Sequence, residues 1–376
     1  MQVIYLDYSA TTKMSKKTLA IYQEVSDKYF GNANSLHELG RDSKKVLLSH
    51  LHELSKALNI AADSLIITSG ATESNNLAID GVLSAYPNRG RVIVTTKIEH
   101  SSIQKKLEEL KDLKVIYLDS DKEGRIYLSD LKKALEAKPA LVSICAVDSE
   151  MGITQDIEAI KKLVREYPQT LIHVDATQAI GKINFDFTDL DLVSFSAHKC
   201  YGPVGVGFLY KADKVVLTPT IIGGESLSEY RAGTTPVALA SAASIAIKEV
   251  VENLEQNKKT INQCHEILKK GIEKYPGVIL NSTTNSVKQI VNLSVLGIKG
   301  STLVNAFSNR GIMLSSMSAC HKNATISKSV LALTKSKKRA SSTIRVSLSH
   351  YTKLEEIEAF LRVLDEIYFN TPKGGI

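Results

Sequence analysis

Tryptophan is absent from this 376-residue sequence, and aromatic residues together make up only 6%. Without aromatics interleaved with basic residues, nucleic acid is not expected as the main ligand. Cysteine is scarce as well: four, at 145, 200, 264 and 320, too few for a disulfide framework in a chain of this length. No two stand as a CxxC pair, so no metal site is expected and each cysteine is read alone. Long hydrophobic runs are missing. The longest apolar stretches, such as 140–147 and 204–210, fall far short of the roughly 20 residues a membrane span needs. The first residues, Met1-Gln2-Val3-Ile4-Tyr5, show no basic region leading into an apolar core, so export is not expected and a cytoplasmic location is.

What is present is ordinary for a globular chain, with 43% hydrophobic and 23% charged residues. The length predicts two domains. Lys and Arg number 47 against 40 Asp and Glu, a net +7, and much of the excess gathers at Lys322, Lys328, Lys335, Lys337, Lys338 and Arg339. Such a cluster reads either as a solvated loop or as a docking surface for an acidic partner or an RNA.

From about residue 15 to residue 254 strand-like and helix-like periods alternate. Short β-branched runs at 64–68, 91–95, 115–118, 141–147, 171–175, 192–196 and 207–210 predict strands. Helical periods fall at 16–28, 43–58, 72–83, 128–137 and 157–166. That alternation predicts an α/β domain over 15–254 with a mostly parallel sheet covered on both faces. In such sheets chemistry gathers at the carboxyl ends of the strands. After a helical stretch at 237–275, runs at 278–280, 290–295 and 342–348 with helices at 302–309 and 353–367 predict a smaller α+β domain, residues 255–376 joined by 1–14. The tail at 370–376 is expected to fray.

The strongest local signal is Ser196-Ala197-His198-Lys199-Cys200-Tyr201-Gly202, just after an apolar strand. A lysine at a buried strand end is placed to lose its charge by desolvation. As a neutral amine it can form a Schiff base with an aldehyde, the attachment that pyridoxal phosphate uses. Asp175 ends the preceding strand, 24 positions before Lys199, so neighbouring strands can present both residues to one ligand. A carboxylate there would keep a pyridine nitrogen protonated, and Gln178 would donate to the ring oxygen. In Thr68-Ser69-Gly70-Ala71-Thr72-Glu73-Ser74-Asn75-Asn76, the free amides and the Thr72 hydroxyl make a phosphate seat at a helix start.

With these motifs, from Tyr5-Leu6-Asp7-Tyr8-Ser9-Ala10-Thr11-Thr12 to Ser342-Thr343-Ile344-Arg345-Val346-Ser347-Leu348, the chain resembles the cysteine desulfurases, class V aminotransferase-like enzymes of the type I pyridoxal-phosphate fold. The resemblance implies that Lys199 carries the cofactor and Asp175 faces its ring nitrogen. Gln178 and Ser149 would lie by the ring oxygen, with Ala71, Thr72, Ser196 and His198 around the phosphate. His100 would stack on the ring and move protons. Arg345 would clamp the substrate carboxylate, helped by Asn32, and a bidentate clamp needs arginine rather than lysine. Thr234 would reach the phosphate of a partner subunit's cofactor, which implies a homodimer. Cys320, in Leu314-Ser315-Ser316-Met317-Ser318-Ala319-Cys320, resembles the family's catalytic cysteine, and its small polar neighbours with His321 and Lys322 favour a thiolate. Cys145 reads as core, Cys200 as structural, and Cys264 as a helix residue with no visible partner.

The activity this implies is conversion of L-cysteine to L-alanine, sulfur being kept on Cys320 as a persulfide for an acceptor protein of iron–sulfur cluster assembly or tRNA thiolation. Selenocysteine lyase or another pyridoxal-phosphate reaction on the same fold stays open, as does a weakly active scaffold that binds the cofactor. Three segments depart from the family pattern: Asp148-Ser149 stands for Asn-Asn, Gly223-Gly224-Glu225-Ser226 is altered, and Gly31-Asn32-Ala33-Asn34 has no proline.

Overall fold

The computed structural model describes residues 3–224, 226–316 and 326–372. Seven strands form the main sheet, in the order Leu65–Thr68, Gly207–Lys211, Leu192–Ser196, Leu171–Asp175, Leu141–Cys145, Val92–Thr96, Lys114–Leu118. Only Gly207–Lys211 runs antiparallel to its neighbours; the other adjacent pairs are parallel. The central strands are buried along their whole length, as expected when helices cover both faces. On one face lie Lys16–Lys28, Glu38–Leu58 and Val237–Glu252; on the other, Ala71–Ala85 packs against the strands through Leu77, Ile79 and Val82.

A second, antiparallel sheet orders Thr343–Ser347, Ile290–Val295 and Val278–Leu280. Its apolar core joins Leu293, Ile344 and Val346 to Cys264, Leu268, Phe360 and Leu364 of the helices Leu254–Ile272 and Leu354–Asn370. Leu6 belongs to this core too, because Ile4–Tyr5 pairs in parallel with Ile312–Met313 and Asp7 bridges to Ser347.

Three expectations change. The helix expected at 43–58 starts at Glu38, capped by the His37 ring. Gly40 is required there, since a Cβ would stand 2.5 Å from the Ser35 carbonyl and 2.6 Å from that of Asn32. The stretch at 237–275 is two helices, Val237–Glu252 and Leu254–Ile272. The basic cluster is not a loop over its described part, for Lys328–Thr334 and Lys337–Ser341 are helical. Arg339 turns inward, donating to Asn281 Oδ1 at 2.9 Å and to the Leu280 carbonyl at 3.3 Å. Lys328 reaches Gln104 Oε1 at 3.1 Å. Lys322 lies outside the described residues.

Candidate active site

The carboxyl ends of the sheet strands open into a cavity of about 270 Å³ lined by Ala71, Thr72, His100, Ser149, Asp175, Gln178, Ser196, His198, Lys199 and Arg345, together with Cys145. The strand pairing explains the central pair. Leu171–Asp175 and Leu192–Ser196 are parallel neighbours, so Asp175 at the end of one stands beside the turn Ala197–Lys199 that follows the other. Asp175 is buried, and both carboxylate oxygens are held: Oδ2 accepts from Asn75 Nδ2 at 2.8 Å and Oδ1 from the Thr177 amide at 2.9 Å. Lys199 Nζ donates to the carbonyls of Ser9 and Ala10 at 2.5 and 2.6 Å. Two backbone acceptors this close hold the amine at the cavity's edge.

The helix Ala71–Ala85 aims its start at this cavity. Its N-cap is Gly70, at φ +150°, with no side chain to satisfy the first amides. The first intrahelical bond is Ser74 N–H to the Gly70 carbonyl, which leaves the amides of the first turn for a ligand anion. Gly207 lets the turn sit tight against the sheet, since a Cβ there would stand 2.7 Å from Gly70 Cα. Glu73 fixes the turn from below, accepting from the Ser69 amide at 2.8 Å and pairing with Arg231 Nε at 3.0 Å. Beside Gly70, Ser196 Oγ is buried with no partner. An orphaned hydroxyl facing unpaired helix amides is what a bound phosphate would complete. The donors, the acid and the lysine therefore fit pyridoxal phosphate.

His198 Nδ1 lies 3.2 Å from Thr11 Oγ1, and burial, then the nearby charges of Lys199 and Lys182, push its pKa down to about 4. It is a neutral ring at physiological pH. His100 caps the helix Ser101–Glu109; its Nδ1 accepts from the Ser102 amide at 3.2 Å, so the neutral ring carries its proton on Nε2. Arg345, 1% exposed, donates from Nη1 to the Ser149 carbonyl at 2.8 Å and from Nη2 to Asp7 Oδ1 at 2.9 Å. Gln178 reaches the cavity; Nε2 gives one of its two N–H groups to the Ser9 carbonyl at 2.9 Å, the other remains for a ligand, and its oxygen is buried without a partner.

Two expected residues stay outside this cavity. Asn32 is exposed, its Oδ1 accepting from the Asn34 amide at 3.0 Å within its own turn. Thr234 is also exposed, on the segment that Arg231 ties to Glu73. Cys320 lies outside the described residues.

Sequence reasoning missed several contributors. Cys145 is buried as expected, yet as the last residue of its strand, paired in register with Asp175, it lines the cavity. Cys264 does have a neighbour, the Thr352 carbonyl 3.5 Å from its sulfur. Glu99 lies wholly buried beside Cys145; Thr96 Oγ1 and the Cys145 amide donate to its Oε1 at 2.6 and 3.1 Å. Burial, opposed by these bonds, lifts its pKa to about 8. Its neighbour His100 was the only signal in the sequence. The segment from Asp7 to Thr12, singled out in the sequence only as a motif of the resemblance, supplies a carboxylate to Arg345, carbonyls to Lys199 and Gln178, and hydroxyls that meet His198, Thr12 Oγ1 donating to the His198 carbonyl at 2.9 Å.

The chain is similar to known proteins along nearly its whole length. The family model for class-V aminotransferases matches residues 4–360. A NifS/IcsS protein homolog of Lactobacillus delbrueckii subsp. bulgaricus is 36% identical over 374 residues, covering 97% of each chain. The cysteine desulfurase IscS of Dictyoglomus turgidum is 33% identical over 371 residues, covering 97% of this chain and 94% of its own. A solved NifS-like protein is similar in fold with a TM-score of 0.92 at 31% identity, over 97% of this chain and 99% of that one. Matching along nearly its whole length, in sequence as in fold, the chain belongs to the cysteine desulfurases of the class-V aminotransferase family.

Proposed function

We propose that the protein takes sulfur from L-cysteine, leaves L-alanine, and carries the sulfur as a persulfide on Cys320 to an acceptor protein. The observation that carries this reading is the meeting of Lys199, Asp175 and Arg345 in one cavity, each from a different part of the chain. Lys199, Asp175, the amides at Ala71 and Thr72, and Ser196 Oγ would hold pyridoxal phosphate. When bound, the cofactor supplies an electron sink that makes the Cα–H of an attached amino acid acidic.

The chain's own groups do the rest. Asp175, fixed at both oxygens by Asn75 and Thr177, keeps a negative charge aimed at one place. Arg345, braced by Ser149, offers a buried cation for the substrate carboxylate. Lys199 Nζ, on leaving the Ser9 and Ala10 carbonyls, takes the proton from Cα, and His100 Nε2 is the second proton carrier. The Cys320 thiolate attacks the substrate sulfur; the Cβ–S bond breaks, an S–S bond forms, and Cβ gains the proton that makes alanine. The reading includes a cytoplasmic homodimer serving iron–sulfur cluster assembly or tRNA thiolation. It also includes the division into residues 15–254 and residues 1–14 plus 255–376, supported by the apolar core of the smaller part, which draws only on its own residues.

The test separates the cofactor site from sulfur transfer. Borohydride reduction followed by peptide mass spectrometry should place the cofactor on Lys199, and Lys199→Ala should carry none. Cys320→Ala should still load cofactor yet release no alanine and hold no persulfide. Alanine production by Cys320→Ala at the parent rate would move the protein to another reaction.

A further inference from the structure

Arg345 is already paired. Its guanidinium is sealed from water, with Nη2 on Asp7 Oδ1 at 2.9 Å, Nη1 on the Ser149 carbonyl at 2.8 Å, and Nε buried with no partner. Asp7 is itself shared, since Oδ2 accepts from Ser315 Oγ at 2.7 Å. The backbones agree with the side chains: Arg345 N–H donates to the Ser315 carbonyl at 2.6 Å, and Ser347 N–H to that of Leu6 at 2.7 Å. The cation meant for the substrate's carboxylate thus has a carboxylate of its own, carried in from the other end of the chain.

We propose that Asp7 is a positioning residue that sets how tightly Arg345 grips an amino-acid carboxylate, by neutralising the guanidinium before substrate arrives and competing with it afterwards. This rests on the reading of Arg345 as the carboxylate partner. A buried guanidinium with no counter-charge would bind any carboxylate strongly. Every amino acid carries that group, and the alanine product carries it unchanged from the substrate. A grip shared with Asp7 holds substrate and product equally lightly, lets alanine leave, and shifts selection to the sulfur-bearing side chain. Ser315 moderates the competitor, because its hydroxyl engages the oxygen Asp7 would otherwise turn to a two-point hold on the arginine.

The experiment uses the cofactor-loaded protein and titrates L-alanine by calorimetry, with KM and kcat for L-cysteine measured separately. Asp7→Asn keeps the shape and removes the charge; it should tighten L-alanine about tenfold and lower KM for cysteine with no gain in kcat. The change should vanish on an Arg345→Ala background, because the two residues act as one unit. Ser315→Ala should act in the opposite sense, weakening L-alanine and raising KM; should Asp7→Asn not fold, this sign alone decides. Alanine affinity unchanged or weakened in a folded Asp7→Asn protein, or tightened in Ser315→Ala, overturns the proposal while leaving the clamp intact. L-alanine affinity unchanged in Arg345→Ala alone would instead remove the clamp, and the proposal with it.

Discussion

Glu99 is a carboxylic acid kept where a carboxylate is costly. Two donors reach one of its oxygens and Asp175 lies nearby, so the group resists a second negative charge beside the first. A protonated Glu99 leaves Asp175 as the charge facing the cavity. Its folded pKa of about 8 against an ordinary 4.5 has a definite thermodynamic sign. Between those values the unfolded chain has lost the proton that the folded chain keeps, so stability falls as pH rises, by about 1.4 kcal/mol per pH unit, and levels off above the folded pKa. Asp148, lifted to about 7 by burial and then by Glu150, acts in the same sense from 3.8 upward. Glu99→Gln should remove one of the two slopes and make the protein more stable at pH 8, measured by denaturant unfolding from pH 5 to 8. Parallel profiles for parent and variant would show that Glu99 is ionised in the fold.

The turn between Leu65–Thr68 and Ala71–Ala85 shows how an element, rather than a side chain, makes a binding site. Its amides face the cavity only because Gly207 on the adjoining strand lets Gly70 approach. Gly207→Ala would set a Cβ 2.7 Å from Gly70 Cα and 2.8 Å from the Phe195 carbonyl, and backbone on both sides must move. We expect that variant to keep its secondary structure by circular dichroism yet to lose cofactor affinity tenfold or more, as a misplaced phosphate seat should. This part of the site was legible in the sequence, because apolar strands punctuated by Gly70, Asp175 and Lys199 mark strand ends, and parallel sheets gather chemistry there. The partners of those residues were not. Lys199 is held by two carbonyls, and backbone carbonyls leave no trace in residue types. Arg345 and Asp7 stand 338 positions apart, beyond any local pattern. Cys145 lay inside the apolar run 140–147 and so read as core, for the sequence does not show that the strand ends at it rather than two residues later. The basic cluster misled in the other direction, since Arg339 turns toward Asn281 and Leu280 instead of water.

At the scale of the molecule, a single chain leaves Phe30, Leu36 and Ile222 exposed at 72, 90 and 89%. Apolar side chains so uncovered suit a second copy, and Thr234 lies on the segment that follows Ile222. If Thr234 reaches the partner's cofactor as proposed, Thr234→Ala should speed cofactor loss on dilution, followed by absorbance after gel filtration, while sedimentation still reports a dimer. A cofactor-loaded monomer would dissolve that proposal. The segment from Asp7 to Thr12 has a further consequence, which concerns synthesis. Polypeptides leave the ribosome N-terminus first, so these residues emerge before anything they serve. Lys199 follows 190 positions after Ser9, and Arg345 338 positions after Asp7. A nascent chain halted before Thr343–Ser347 would own the whole seven-stranded sheet and still lack the guanidinium that pairs with Asp7 and the strand that takes up the Leu6 carbonyl. Carboxylate binding that needs this guanidinium therefore waits on a strand made long after the sheet that carries Lys199 and Asp175.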